Sequence, residues 1–159
     1  MTAYLHAQGR EVVGADLSQG KVTEAQRLHP DVLFVHVDMQ RLPFEDDSLA
    51  GIVALYLHGL VQHNLSGVFH KEATAVLREL ARVLRPTGQL LVGFLRGEEA
   101  HVTWNGEDIT LGAHFCTPQE MIAWLTQVGF TAITIIDRMP DPDTEEQPKI
   151  IYINARKNN

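Results

Sequence analysis

Two aspartates early in the chain each follow a short apolar stretch. Asp16 follows the apolar residues that open Val12-Val-Gly-Ala-Asp16-Leu-Ser18, and Asp38 follows Val32–Val37, a run rich in β-branched and aromatic residues. A carboxylate that closes a strand stands where open α/β sheets bind ligands, and it accepts strong hydrogen bonds from hydroxyl or amino groups. The same residues also suit plainer work, Asp16 as a helix cap and Asp38 as a turn residue. Further along, Tyr56-Leu-His58-Gly-Leu-Val-Gln-His63 carries two imidazoles. An unperturbed imidazole titrates near neutral pH, so His58, and after it His63, is a candidate base for a substrate hydroxyl. The alternative is a hydrogen-bonded loop histidine. Arg96 follows a strand and faces either an acidic ligand or solvent. Cys116 reads as a small packing residue. The eight histidines form no His-Glu-x-x-His pattern and there is no Cys-x-x-Cys, so no metal site is expected.

These side chains need elements to hold them. Met1–Gln8 reads as the tail of a helix closed by Gly9. Glu11–Ala15 is a short strand, and Ser18 caps a helix that runs to about Leu28 before Pro30 stops it. Val32–Val37 is a second strand, Asp38–Ala50 a polar loop and Gly51–Leu57 a third strand. Phe69, Ala73, Val76, Leu77, Leu80, Val83 and Leu84 recur at three- and four-residue steps and give a helix with one apolar face. Pro86 ends it and Gly88 turns the chain into Gln89–Leu95, a strand patterned for burial on both faces. His101–Trp104 with Asn105-Gly106 suggests a turn within an insertion that covers substrate. Thr117-Pro-Gln-Glu120 opens a helix whose inner face is Met121, Ile122, Leu125 and Val128. Ala132–Ile136 and Lys149–Asn154 are the last strands, joined by an acidic, proline-bearing loop. Alternating strands and helices predict an α/β fold with a mostly parallel, doubly wound sheet, here with a final antiparallel strand expected at one edge.

Asp and Glu total 20 against 13 Lys and Arg, a net charge of −7. That balance argues against a general nucleic-acid binder, which needs clustered cations. A single cysteine points to a reducing compartment, and the opening MTAYLHAQGR has no signal-peptide pattern. No apolar run approaches the roughly 20 residues a bilayer span needs. A cytoplasmic protein without nucleic-acid or membrane partners is therefore expected, as one domain over residues 1–159.

Three segments, in order and spacing, resemble the class I S-adenosylmethionine-dependent methyltransferases, in particular the small-molecule group that includes ubiquinone and menaquinone methyltransferases. They are Val12–Ser18, Val37–Ser48 and Leu80-Ala-Arg-Val-Leu-Arg-Pro-Thr-Gly88 running into a strand. The resemblance implies S-adenosylmethionine as cofactor, S-adenosylhomocysteine as product, a Rossmann-like sheet and a small-molecule methyl acceptor. It implies that Asp16 accepts from both ribose hydroxyls and that Leu17 covers a face of the adenine. It implies that Asp38, with the Met39 backbone beside it, holds the adenine amino group. By the same resemblance Leu55 and Tyr56 match positions bordering the methionine part of the cofactor, with Tyr56 reading equally as a core aromatic, and His58 matches a place near the transferred methyl. The acidic residue that opens the family's fourth motif is absent, its place taken by Ser48-Leu-Ala50-Gly51.

Members of the family begin with a strand and a glycine-rich turn, and this sequence starts inside the helix that follows. In the family that strand lies between the strand ending at Asp16 and the one starting at Gly51. Unpaired edges are costly, so the gap closes, another chain fills it as in a homodimer, or the protein has a preceding segment. The last is the expectation. The function expected is methyl transfer. The alternatives are a non-catalytic binding module of the same fold and, further off, an NAD-dependent oxidoreductase, whose ribose Asp16 would also suit.

Overall fold

Strand and helix alternate along the chain as the apolar spacing demands. The computed structural model describes residues 1–55, 66–96, 100–104, 107–111, 117–137 and 149–159. It divides into two units, Met1–Pro43 and Phe44–Asn159. The first contains α1 (Thr2–Ala7), β1 (Val13–Asp16), α2 (Gln19–Leu28) and β2 (Leu33–His36). The second contains β3 (Leu49–Leu55), α3 (Ser66–Val83), β4 (Leu84–Arg96), β5 (Ala100–Trp104), β6 (Glu107–Leu111), α4 (Pro118–Gln127), β7 (Phe130–Asp137) and β8 (Lys149–Lys157). Among the described residues no helix is long and apolar enough to cross a membrane.

In the first unit β1 and β2 are parallel neighbours, with Val13 opposite Leu33 and Asp16 opposite His36. Parallel strands need a crossover, and α2 supplies it. The Ser18 hydroxyl accepts from the Lys21 N–H at 3.4 Å and so starts that helix. Gly14 leaves room for a neighbour, because a Cβ there would run into the ring of Phe34.

In the second unit the sheet order is β3-β4-β8-β7. β3 and β4 are parallel, and β8 is antiparallel to both β4 and β7. The antiparallel strand is thus not at an edge, as the sequence predicts, but between β4 and β7. A hairpin requires only that β7 and β8 be neighbours, and burial decides the rest. Ile151, Ile153 and Ala155 of β8 are buried, whereas Ile135 and Ile136 of β7 are 44% and 49% exposed. The more continuously apolar strand takes the interior place.

The core lies on one face of this sheet. Leu90, Val92 and Phe94 of β4 stand opposite Ala155, Ile153 and Ile151 of β8, and all six are buried. Val76, Leu77, Leu80 and Val83 of α3, Met121, Trp124 and Leu125 of α4, and Phe130 of β7 are buried with them. The other face of β4 is covered in part: Leu91 is half-buried and Gly93 buried. The inner face of α4 includes Trp124 in place of Ile122 and Val128, which are half-buried. Its start is the expected capping box: the Thr117 hydroxyl accepts from the Glu120 N–H at 3.2 Å, and Glu120 accepts from the Thr117 N–H at 2.8 Å.

Two local features depart from expectation. β5 and β6 form an antiparallel hairpin from Ala100 opposite Leu111 to Trp104 opposite Glu107, so the suspected turn segment contains strands. Asn105 and Gly106 lie outside the described residues. After α3 the left-handed backbone falls on Thr87, at φ +62°, rather than on Gly88. Gly88 serves close approach instead, because a Cβ there would meet the Arg85 carbonyl oxygen at 2.8 Å.

The segment entering β3 is fastened by ion pairs. Arg82, near the end of α3, donates to the Phe44 carbonyl at 2.9 Å and to Asp46 and Glu79 at 2.6 Å each. Glu79 first, then Asp46, holds the guanidinium proton well above its usual range. Lys157 donates to Asp47 at 2.6 Å and to the Leu84 carbonyl at 2.7 Å.

Candidate functional site

β1 and β2 run parallel and end together, so both early aspartates emerge at one end of the first unit. Asp16 is the last residue of β1 and Asp38 lies two residues beyond β2. The Val37 N–H donates to the Asp16 carbonyl at 3.1 Å, which carries the pairing one residue past the strands. Each carboxylate closes the same kind of turn. Asp16 Oδ1 accepts from the Ser18 N–H at 2.8 Å, and Asp38 Oδ1 accepts from the Gln40 N–H at 2.8 Å. Short acidic side chains commonly bend the backbone in this way. The turn role is therefore present, and it uses one of roughly four acceptor positions on each carboxylate.

Leu17 sits between β1 and the start of α2 with 66% of its surface exposed, unusual for a large apolar residue next to a strand end. Lys21, one turn into α2, lies 3.9 Å from Asp16 Oδ2, with both side chains well exposed. The pair is long and solvated, and such pairs contribute little. Met39 is half-buried, while Asp38 is exposed. A half-exposed carboxylate, a second exposed carboxylate and an apolar side chain thus share the carboxyl ends of two parallel strands. Chemically this set suits a ligand that carries hydroxyl and amino donors and a planar apolar surface. An adenosine group meets that description, since the carboxylates retain acceptor capacity and Leu17 offers an apolar face.

His36, the cross-strand neighbour of Asp16, belongs to this end of the unit as well. Its Nε2 donates to the Leu17 carbonyl at 2.8 Å. The signal was the register, because a parallel pairing of the two predicted strands puts His36 beside Asp16. Leu55 closes β3 in the second unit and is half-buried. Tyr56, His58 and His63 lie outside the described residues, as does Cys116. Among the described residues no group of three or more His, Cys, Asp or Glu forms a metal site. Two shallow clefts of the first unit flank α2, one lined by Gln19, Val22 and Phe34 and the other by Met1, Lys21, Leu28 and Phe34. Neither is lined by Asp16, Leu17 or Asp38. Ligands of open α/β sheets bind outside strand carboxyl ends, so the strand-end cluster is the better candidate.

A family model described as a methyltransferase domain matches residues 1–92, a stretch that includes both aspartates and α3. The chain is 41% identical over 91 residues to a demethylmenaquinone methyltransferase of Beutenbergia cavernae, covering 57% of this chain and 34% of the relative. It is 29% identical over 120 residues to a malonyl-[acyl-carrier protein] O-methyltransferase of Erwinia billingiae, covering 74% of this chain and 44% of the relative. The chain therefore spans less than half the length of these curated relatives. In fold it is similar to a SAM-dependent methyltransferase from Methanosarcina mazei, with a TM-score of 0.76, 16% identity, and 99% of this chain and 87% of that chain covered. With the family's match across more than half of its residues, the chain belongs to the class I S-adenosylmethionine-dependent methyltransferases.

Proposed function

We propose that this chain forms part of an enzyme that transfers a methyl group from S-adenosylmethionine to a small-molecule acceptor. The observation that carries this reading is the pair of carboxylates, Asp16 and Asp38, at adjacent parallel strand ends with exposed Leu17 next to Asp16. In this reading Asp16 accepts from the two ribose hydroxyls, Leu17 covers one adenine face, and Asp38 accepts from the adenine amino group with the Met39 N–H beside it. Leu55 and Tyr56 border the methionine portion. His58 takes the proton from an acceptor hydroxyl, as an imidazole titrating near neutral pH is suited to do. The sulfonium supplies the activated methyl. The protein has to align the acceptor and keep water away. Net negative charge in the chain, −7, favours a ligand whose reacting centre is cationic.

The two units are read as one domain over residues 1–159, because the family match crosses their boundary. The finer fold reading is a doubly wound Rossmann-like sheet whose first family strand and glycine-rich turn are not among these residues. In its support, β1 is bonded to β2 and β3 to β4, with no second strand neighbour for either among the described residues. The names of the relatives, a demethylmenaquinone methyltransferase and a malonyl-[acyl-carrier protein] O-methyltransferase, support a small organic acceptor.

A titration of the ¹⁵N-labelled chain with S-adenosylhomocysteine tests the placement. Amide resonances of Asp16–Ser18 and Asp38–Gln40 are expected to move together and saturably. Shifts confined to residues along α2, or none at these two turns, would contradict it.

A further inference from the structure

We propose that His36 is a positioning residue that sets Leu17 as the shelf for the planar base, an inference that rests on the cofactor reading above. The Leu17 carbonyl and the Ser18 N–H belong to one peptide group, and both of its polar atoms are held. The N–H donates to Asp16 Oδ1 at 2.8 Å, and the carbonyl accepts from His36 Nε2 at 2.8 Å. A trans peptide is planar, with its N–H and C=O pointing opposite ways. Anchoring both ends fixes the rotation of that plane and, through it, the direction in which Leu17 leaves the backbone.

The two anchors come from neighbouring strands. Asp16 and His36 are register partners in the β1–β2 pair, and the Val37 N–H bonded to the Asp16 carbonyl ties them past the last pair. A carbonyl can only accept, so the proton lies on Nε2, which holds for the neutral tautomer and the imidazolium alike. Leu17 itself packs little, being 66% exposed, so the peptide clamp rather than a side-chain socket keeps it in place. Exposed apolar surface held rigid at a ligand site lowers the ordering cost of binding.

The test is a double-mutant cycle in S-adenosylhomocysteine affinity, with amide exchange as a second readout. H36A is expected to weaken binding about fivefold and L17A about tenfold, with the H36A/L17A pair close to L17A alone, because His36 acts through Leu17. H36Q, whose amide nitrogen reaches the same place, should recover binding to within about twofold. Exchange of the Ser18 N–H should quicken in H36A and return to the wild-type rate in H36Q. Additive losses in the cycle, or Ser18 exchange unchanged by H36A, would overturn the clamp. Failure of the wild-type chain to bind S-adenosylhomocysteine would instead remove the cofactor reading and, with it, the shelf role of His36. The exchange experiment would then still report whether the peptide is held.

Discussion

Among single residues, two carboxylates each do two things. Asp16 and Asp38 shape their turns through one oxygen and keep acceptor capacity for a ligand. D16N keeps an oxygen for the Ser18 N–H but loses charge and one acceptor. It should weaken S-adenosylhomocysteine binding at least tenfold by calorimetry, with little change in thermal midpoint, since hydrogen bonds to charged groups contribute about 1.5–3 kcal/mol. D38N should weaken it less, because one hydrogen bond is at stake rather than two. The sequence made these two residues legible because each directly follows a recognisable strand. His36 was not legible as a site residue, because its role depends on which backbone carbonyl its ring reaches. That in turn depends on the register and on the turn after β1.

At the scale of elements, caps and turns give measurable stakes. Removing the Thr117 hydroxyl by T117A takes away one half of the α4 capping box and should cost about 1 kcal/mol in denaturant unfolding. Thr87 is β-branched and held at φ +62°, where L-residues pay about 1–2 kcal/mol. T87G should therefore raise stability by up to about 1 kcal/mol, the remainder being offset by the freedom glycine gains when unfolded. Unchanged or lower stability would mean the turn is not strained. Most elements were readable from their punctuation: Ser18, Pro30 and Thr117-Pro118 mark real helix limits. The interior place of β8 was not, because a hairpin specifies adjacency, whereas the position across the sheet follows from comparing the burial of β7 and β8. The β5–β6 hairpin is legible in the sequence only as a turn, since five-residue strands such as Ala100–Trp104 and Glu107–Leu111 carry too little alternation to stand out.

For the whole molecule, the second unit is a sheet with one deeply buried face. Leu90 is fully buried while its neighbour Leu91, pointing the other way, is half-buried. L90A should cost about 2–5 kcal/mol and L91A clearly less. Equal losses would place a second core on the face of Leu91. The family-level fold was legible because the order of segments carries it, and the curated relatives extend well beyond the part this chain matches. The most direct test of the central claim is a calorimetric titration of the chain with S-adenosylhomocysteine, set against NADH. Saturable binding of S-adenosylhomocysteine is expected in the micromolar range, about −8 kcal/mol at 1 μM, weakened at least tenfold in D16N, with no comparable binding of NADH. A folded chain that binds neither, or that prefers NADH, would contradict it.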